Sequence, residues 1–70
     1  MQDNTFGQTL KRLRIDNRLS QRQLGEALGV CNQTVSFWET GSREPDLDTV
    51  RKIAEYFDVS CDFLLGRSQF

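Results

Sequence analysis

Residues 19–41 read Leu19-Ser-Gln-Arg-Gln-Leu-Gly-Glu-Ala-Leu-Gly29-Val-Cys-Asn-Gln-Thr-Val-Ser-Phe-Trp-Glu-Thr-Gly41. Two short helices and a tight turn are legible in this stretch. Ser20 and Gln23 have capping-box spacing: the hydroxyl caps the N3 amide and the N3 side chain bonds back. Leu24 and Leu28 recur at i, i+4 on one face, and Gly29 is a helix stop. A further helix is predicted from about Asn32 to Thr40, with Val35 and Trp38 inward and Gly41 as its stop. Only Gly29, Val30 and Cys31 separate the two helices. So short a turn forces the axes to cross steeply rather than pack antiparallel. Gly25 stands where the backbones of such a pair approach. A glycine inside a helix costs about 1 kcal/mol against alanine, and close approach is a physical reason to tolerate that cost.

Working outward, the same punctuation predicts five helices. The first runs from about Thr5 to Arg18. Thr5 and Gln8 have capping-box spacing, and Phe6, Leu10 and Leu13 share a face. After Gly41, residues Ser42 to Pro45 form a loop, because the proline pushes Glu44 away from helical angles. Asp46 caps a fourth helix over Leu47–Phe57, with Val50, Ile53, Ala54 and Phe57 inward. Ser60 caps a short fifth helix, with Phe63 and Leu64 inward and Gly66 as its stop. The fold class is therefore all-α, a compact five-helix arrangement in one domain over residues 1–70, its core spanning about 6–66.

Seventy residues with 37% hydrophobic side chains suffice for one small core. A chain this short buries only roughly 60% of its unfolded surface, which leaves a thin stability margin. There are no histidines, which removes the commonest general base and metal ligand. Cys31 and Cys61 cannot build a four-ligand zinc site. No calcium-loop spacing and no glycine-rich phosphate loop appear. Asp46, Asp48, Asp58 and Asp62 fall at helix ends, where capping explains most of them. The composition thus argues against an enzyme and against a metal or other cofactor. No apolar run is long enough to span a membrane, and the first residues lack the regions of a signal peptide. The expectation is a cytoplasmic, reduced domain. Net charge is −1, which taken alone argues mildly against a polyanion partner. The charge is unevenly distributed, however. Lys11, Arg12, Arg14, Arg18 and Arg22 face only Asp16 between positions 11 and 22, whereas the stretch from Asp46 onward is net acidic.

The stretch 19–41 with the following Pro45, and the tail Lys52-Ile-Ala-Glu-Tyr-Phe-Asp-Val-Ser-Cys-Asp-Phe-Leu-Leu-Gly66, together resemble the helix-turn-helix family of phage repressors and Cro proteins, also called Xre-like regulators. The resemblance covers about Phe6 to Gly66. It implies a lambda-repressor-like DNA-binding domain, with the helix-turn-helix at about 20–40 and its third helix in the major groove of operator DNA. The implied function is sequence-specific double-stranded DNA binding by a transcriptional regulator, a repressor by preference, with no catalytic residues.

The family's base-reading positions fall on Asn32, Gln33, Ser36 and Phe37, and Thr34 lies beside them at the helix start. Asn and Gln are the side chains that bond adenine N6 and N7 in bidentate fashion. Phe37 is suited to thymine methyls, or alternatively to packing against the second helix. Phosphate contacts are expected from Ser20 and Gln21 at a helix N-terminus, and from Thr40, Ser42 and Arg43 after the recognition helix. The family also pairs an arginine of the first helix with the glutamate ending the third, here Arg14 and Glu39.

Two departures from the family pattern stand out. Cys31 replaces the usual Ser or Thr cap, either as a redox-sensitive DNA contact or as a small tolerated residue. Gly25 replaces a common alanine, which should loosen the second helix slightly. The resemblance further implies a homodimer on a palindromic operator, with Phe63, Leu65 and Phe70 offering apolar surface for the self-contact. The alternative function is a protein-interaction module of the same fold, such as an antitoxin or adaptor, using the acidic face.

Overall fold

The fold is seen in a computed structural model that describes residues 5–65. Five helices follow in order: α1 (Thr5–Asp16), α2 (Gln21–Leu28), α3 (Asn32–Thr40), α4 (Leu47–Phe57) and α5 (Cys61–Leu64). Gly66 and Phe70, for which a helix stop and an apolar contact are expected from sequence, lie outside the described residues.

One core holds the helices together. Leu10 of α1, Leu24 and Leu28 of α2, Val35 and Trp38 of α3, Val50, Ile53 and Ala54 of α4 and Leu64 of α5 are all buried. Phe6, Leu13, Leu19, Val30, Phe57, Val59, Cys61 and Leu65 pack around them. Each fully buried Leu or Ile removes enough apolar area from water to contribute roughly 1.5–3 kcal/mol before entropy is charged against it. The inward set matches the periodicity of the sequence, with Phe6, Leu13 and Phe57 half-buried at its margin and α5 contributing one fully buried residue. Leu64 is fully buried while Phe63 is only half-buried. The one-turn α5 docks on the core through Leu64, with Cys61 and Leu65 packed beside it and Phe63 at the margin.

The helix starts follow local chemistry. Ser20 Oγ accepts from the Gln23 N–H at 3.0 Å and Gln23 Oε1 accepts from the Ser20 N–H at 2.8 Å, a complete capping box. Ser60 Oγ accepts from Phe63 N–H, and Asp46 Oδ1 from Thr49 N–H. Thr5 is itself the first helical residue of α1 rather than its cap. The Thr49 hydroxyl and backbone N–H hold the Asp46 carboxyl below its ordinary range. Because the folded state lowers this pKa, the stabilisation is present above the unfolded value near 4 and is lost as the pH falls through the folded value. Asp46→Asn keeps the cap but removes the titration. Urea midpoints between pH 5 and pH 2.5 therefore fall less steeply for Asp46→Asn than for the wild type; equal slopes would refute a contribution from Asp46.

The helix ends differ from the sequence reading in one instructive way. α1 stops at Asp16, two residues before Arg18, and no glycine stops it. Arg18 adopts left-handed angles (φ 59). Its N–H bonds Ile15 O, and Leu19 N–H bonds Arg14 O. That is the Schellman arrangement, which commonly uses glycine. α2 ends the same way at Gly29, and α4 at Asp58 (φ 57). A left-handed non-glycine residue costs about 1 kcal/mol. At Arg18 the burial of Leu19 against the core and the bond to Arg14 O offset it.

Gly25 explains the helix-turn-helix itself. A Cβ built there would lie 2.6 Å from the Val30 carbonyl oxygen and 3.2 Å from the Cys31 carbonyl carbon. The turn therefore lies directly on the α2 backbone, and α3 leaves it in close contact with α2. Gly29 (φ +78) has open space where a Cβ would stand; its role is the left-handed turn rather than close approach.

Candidate nucleic-acid interface

α3 is two-faced. Val35, Trp38 and Glu39 point into the protein, whereas Asn32, Gln33, Phe37 and Thr40 are exposed and Thr34 and Ser36 half-buried. Positions 33, 37 and 40 recur at i, i+4, i+7, so an uninterrupted outward stripe carries Gln33, Phe37 and Thr40. Asn32 and Ser36 flank it, again four residues apart. The predicted base-facing residues are thus brought together on one surface, with Thr34 at its inner edge. Thr34 Oγ1 lies 3.2 Å from Cys31 Sγ, so its hydroxyl is engaged locally.

Cys31 is the N-cap residue of α3 but makes no side-chain cap bond. The Thr34 N–H of the first turn bonds the Cys31 carbonyl instead, at 3.1 Å. The thiol is exposed and free. The Thr34 hydroxyl, with the backbone amides of the same turn, holds its pKa below the ordinary thiol value.

The orientation of α3 is set from its inner side by a cluster of charged and polar groups. Arg14 of α1 donates through Nε to Glu39 Oε2 at 2.6 Å and through a terminal nitrogen to Oε1 at 3.2 Å. Its other terminal nitrogen donates to Leu19 O at 2.8 Å. Gln21 Nε2 of α2 also donates to Glu39 Oε1, at 3.1 Å. The Arg14 and Glu39 side chains are only 12% and 4% exposed. A bidentate Arg–carboxylate contact is geometrically demanding, so α1, α2 and α3 meet in one defined arrangement. The family resemblance implies the pairing of Arg14 with Glu39. It does not reveal that Arg14 also ties down the Leu19 carbonyl, since a backbone acceptor carries no residue-type signal.

The Gln21–Glu39 bond also places the N-terminus of α2 beside the last turn of α3. The expected phosphate contacts, Ser20 and Gln21 on one side and Thr40, Ser42 and Arg43 on the other, therefore belong to one end of the interface. Ser20, Thr40, Ser42 and Arg43 are exposed, and Gln21 is half-buried with its amide turned to Glu39. Thr40 Oγ1 donates to Phe37 O and lies 3.1 Å from Ser42 Oγ. The Arg43 N–H bonds Phe37 O, and its guanidinium carbon lies 5.2 Å from the centre of the Phe37 ring. Phe37 is 38% exposed, so its ring stands at the surface beneath Arg43. That contact crosses the loop and is not visible in local sequence spacing. Lys11, Arg18 and Arg22 are exposed on the first two helices and their connection. The Arg22–Glu26 pair at 3.8 Å is solvated at both ends and contributes little.

Among the described residues, no cluster of His, Cys, Asp and Glu is arranged to hold a metal ion. No described helix is long and apolar enough to cross a membrane.

A family model described as helix-turn-helix matches residues 10–64. The chain is 38% identical over 60 residues to the HTH-type transcriptional regulator YqaE of Bacillus subtilis, covering 86% of this chain and 52% of that protein. It is 40% identical, again over 60 residues, to the SPbeta prophage-derived HTH-type transcriptional regulator YonR of the same organism, covering 86% of this chain and 56% of that one. The chain thus spans about half the length of these curated relatives. Among solved structures it is similar to the P22 c2 repressor protein in complex with a synthetic operator. The TM-score is 0.83 at 27% identity, over 90% of this chain and 96% of that chain. With α2, the Gly25-lined turn and α3 in place, the chain belongs to the helix-turn-helix family of Xre-like, phage-repressor-type regulators.

Proposed function

We propose that this chain is the DNA-binding domain of a transcriptional repressor that reads double-stranded operator DNA through α3 in the major groove, in the cytoplasm. The observation that carries the reading is the outward stripe of α3, with Asn32, Gln33, Ser36 and Phe37 on one surface of a helix held rigidly from behind. A major groove admits one α-helix, and Asn and Gln amides can bond adenine edges there. Thr34 contributes at the edge of that surface. Ser20, Gln21, Thr40, Ser42 and Arg43 hold the flanking phosphates, which fixes register without reading sequence. The operator is a palindrome bound by a homodimer, to which Phe63 and Leu65 supply apolar surface. The likeness to a repressor solved with its operator supports the assignment.

The test is selection of bound duplexes from a random library, followed by affinity against salt. An inverted repeat is enriched, and log affinity falls linearly with log salt. A folded protein that enriches no sequence sinks the assignment and favours a protein partner. On the selected site, Gln33→Ala costs about 1–3 kcal/mol and leaves non-specific binding unchanged. Arg43→Ala weakens both kinds of binding and lowers the salt slope by about one. Equal losses on all sequences for Gln33→Ala would remove Gln33 from the base-reading set.

A further inference from the structure

We infer that Arg43 is a positioning residue for Phe37, and that the pair acts as one reading unit for the 5-methyl group of a pyrimidine in the major groove. The inference rests on the DNA-reading assignment and adds to it which chemical group is read and what makes the reader rigid.

Phe37 is the large apolar side chain on the outward stripe of α3, 38% exposed and flanked by polar residues. It stands one turn beyond Gln33 on the same face. An aromatic ring there has no hydrogen bond to offer a base edge. What it can offer is apolar contact, and the methyl group of thymine is the apolar feature of the major groove. A freely rotating ring would be a poor reader, since contact with a methyl group has to be held in place to discriminate.

The loop after α3 supplies the constraint. The Phe37 carbonyl accepts from the Thr40 hydroxyl at 3.3 Å and from the Arg43 N–H at 3.3 Å, and Thr40 and Ser42 hydroxyls lie 3.1 Å apart. These bonds fold residues 40–43 back over the helix end. The fold-back brings the Arg43 guanidinium to 5.2 Å from the ring centre, within cation–π range. Among the described residues Arg43 has no carboxylate in ion-pair contact, and its guanidinium lies over the Phe37 ring. A guanidinium stacks through its flat face while its N–H groups point outward in its own plane. Arg43 therefore lies over the ring at cation–π distance and still has donors for a phosphate oxygen. Backbone clamping and methyl reading are coupled through one contact. A lysine keeps the charge for the phosphate but has no planar face to lay on the ring.

The experiment uses the full chain and the duplex most enriched in the library selection. Each thymine is replaced in turn by deoxyuridine, which removes only the methyl group. For the wild type, one thymine per half-site shows a loss of about two- to fivefold, the size of one buried methyl group. Arg43→Lys weakens thymine and deoxyuridine duplexes alike through its altered phosphate contact, a loss that cancels in their ratio, and its deoxyuridine penalty at that position, taken as that ratio, falls close to one. In a Phe37→Leu background, Arg43→Lys makes no further difference to that penalty, because the stack no longer exists to be lost. A penalty that survives in Arg43→Lys, or a wild type indifferent to every methyl group, overturns the inference while leaving DNA reading intact. Absence of any enriched duplex overturns the underlying assignment instead. Arg43 and Phe37 are both exposed, and unchanged thermal midpoints verify that the variants are folded.

Discussion

Replacing Gly25 with alanine lowers the unfolding free energy by about 1–3 kcal/mol, even though alanine is the better helix former by about 1 kcal/mol. The added Cβ would stand 2.6 Å from the Val30 carbonyl oxygen. The obstacle is backbone, so no side chain can swing aside to relieve it. Either α2 and the 29–31 turn separate, or the turn changes its path, and both loosen the core around Leu24, Leu28 and Val35. For a domain of this size the cost corresponds to a fall of very roughly 5–20 °C in the thermal midpoint. The same change on an exposed helical surface would raise stability. Thermal and urea unfolding of Gly25→Ala check the sign directly, and a midpoint at or above the wild type would show that the turn yields cheaply. This outcome differs from a sequence-level comparison with the family, where alanine is common at this position and the glycine looks like a mild loosening. The particular turn geometry of this chain makes it a requirement.

The second large effect is expected at the inner side of the recognition helix. Arg14→Met and Glu39→Leu should each cost about 3 kcal/mol, whereas the double substitution costs clearly less than their sum. The reason is asymmetric. Both side chains are nearly sealed from water, so removing one leaves the other charge buried without its main counter-ion. Removing both lets apolar side chains fill the same space. A domain of this length has a total stability of only about 3.5–10 kcal/mol, so either single variant brings it close to unfolding. Four urea titrations close the cycle, and additive losses would mean that the pair is not coupled. DNA affinity should fall in the double variant even where stability recovers, because the Arg14–Glu39–Gln21 cluster sets the direction in which α3 faces the groove.

Much of this architecture was legible in residue order because it depends on local chemistry. The capping pair Ser20 and Gln23, the Asp46 and Ser60 caps, the glycine after α2 and the apolar periodicity of α1 and α4 act within one or two turns of chain. The end of α1 was not legible. Arg18 occupies a left-handed position that its residue type does not advertise, and what holds it there is Leu19 packing on the core and accepting a bond from Arg14. The unequal burial of Phe63 and Leu64 likewise follows from how a one-turn helix docks.

The outward residues of α3 divide in the same manner. Asn32, Gln33, Ser36 and Phe37 lie on a common surface because helical spacing places them there, a grouping that residue order alone fixes. Their orientation was decided only by tertiary structure. Arg14, Gln21 and Glu39 come from three helices, and Arg43 reaches Phe37 only because the loop folds back on the helix end. Helix formation, capping and facing are short-range and written in residue type. Close backbone approach at Gly25, the buried charge cluster and the guanidinium over the ring depend on where distant segments meet, which is settled only when the core closes.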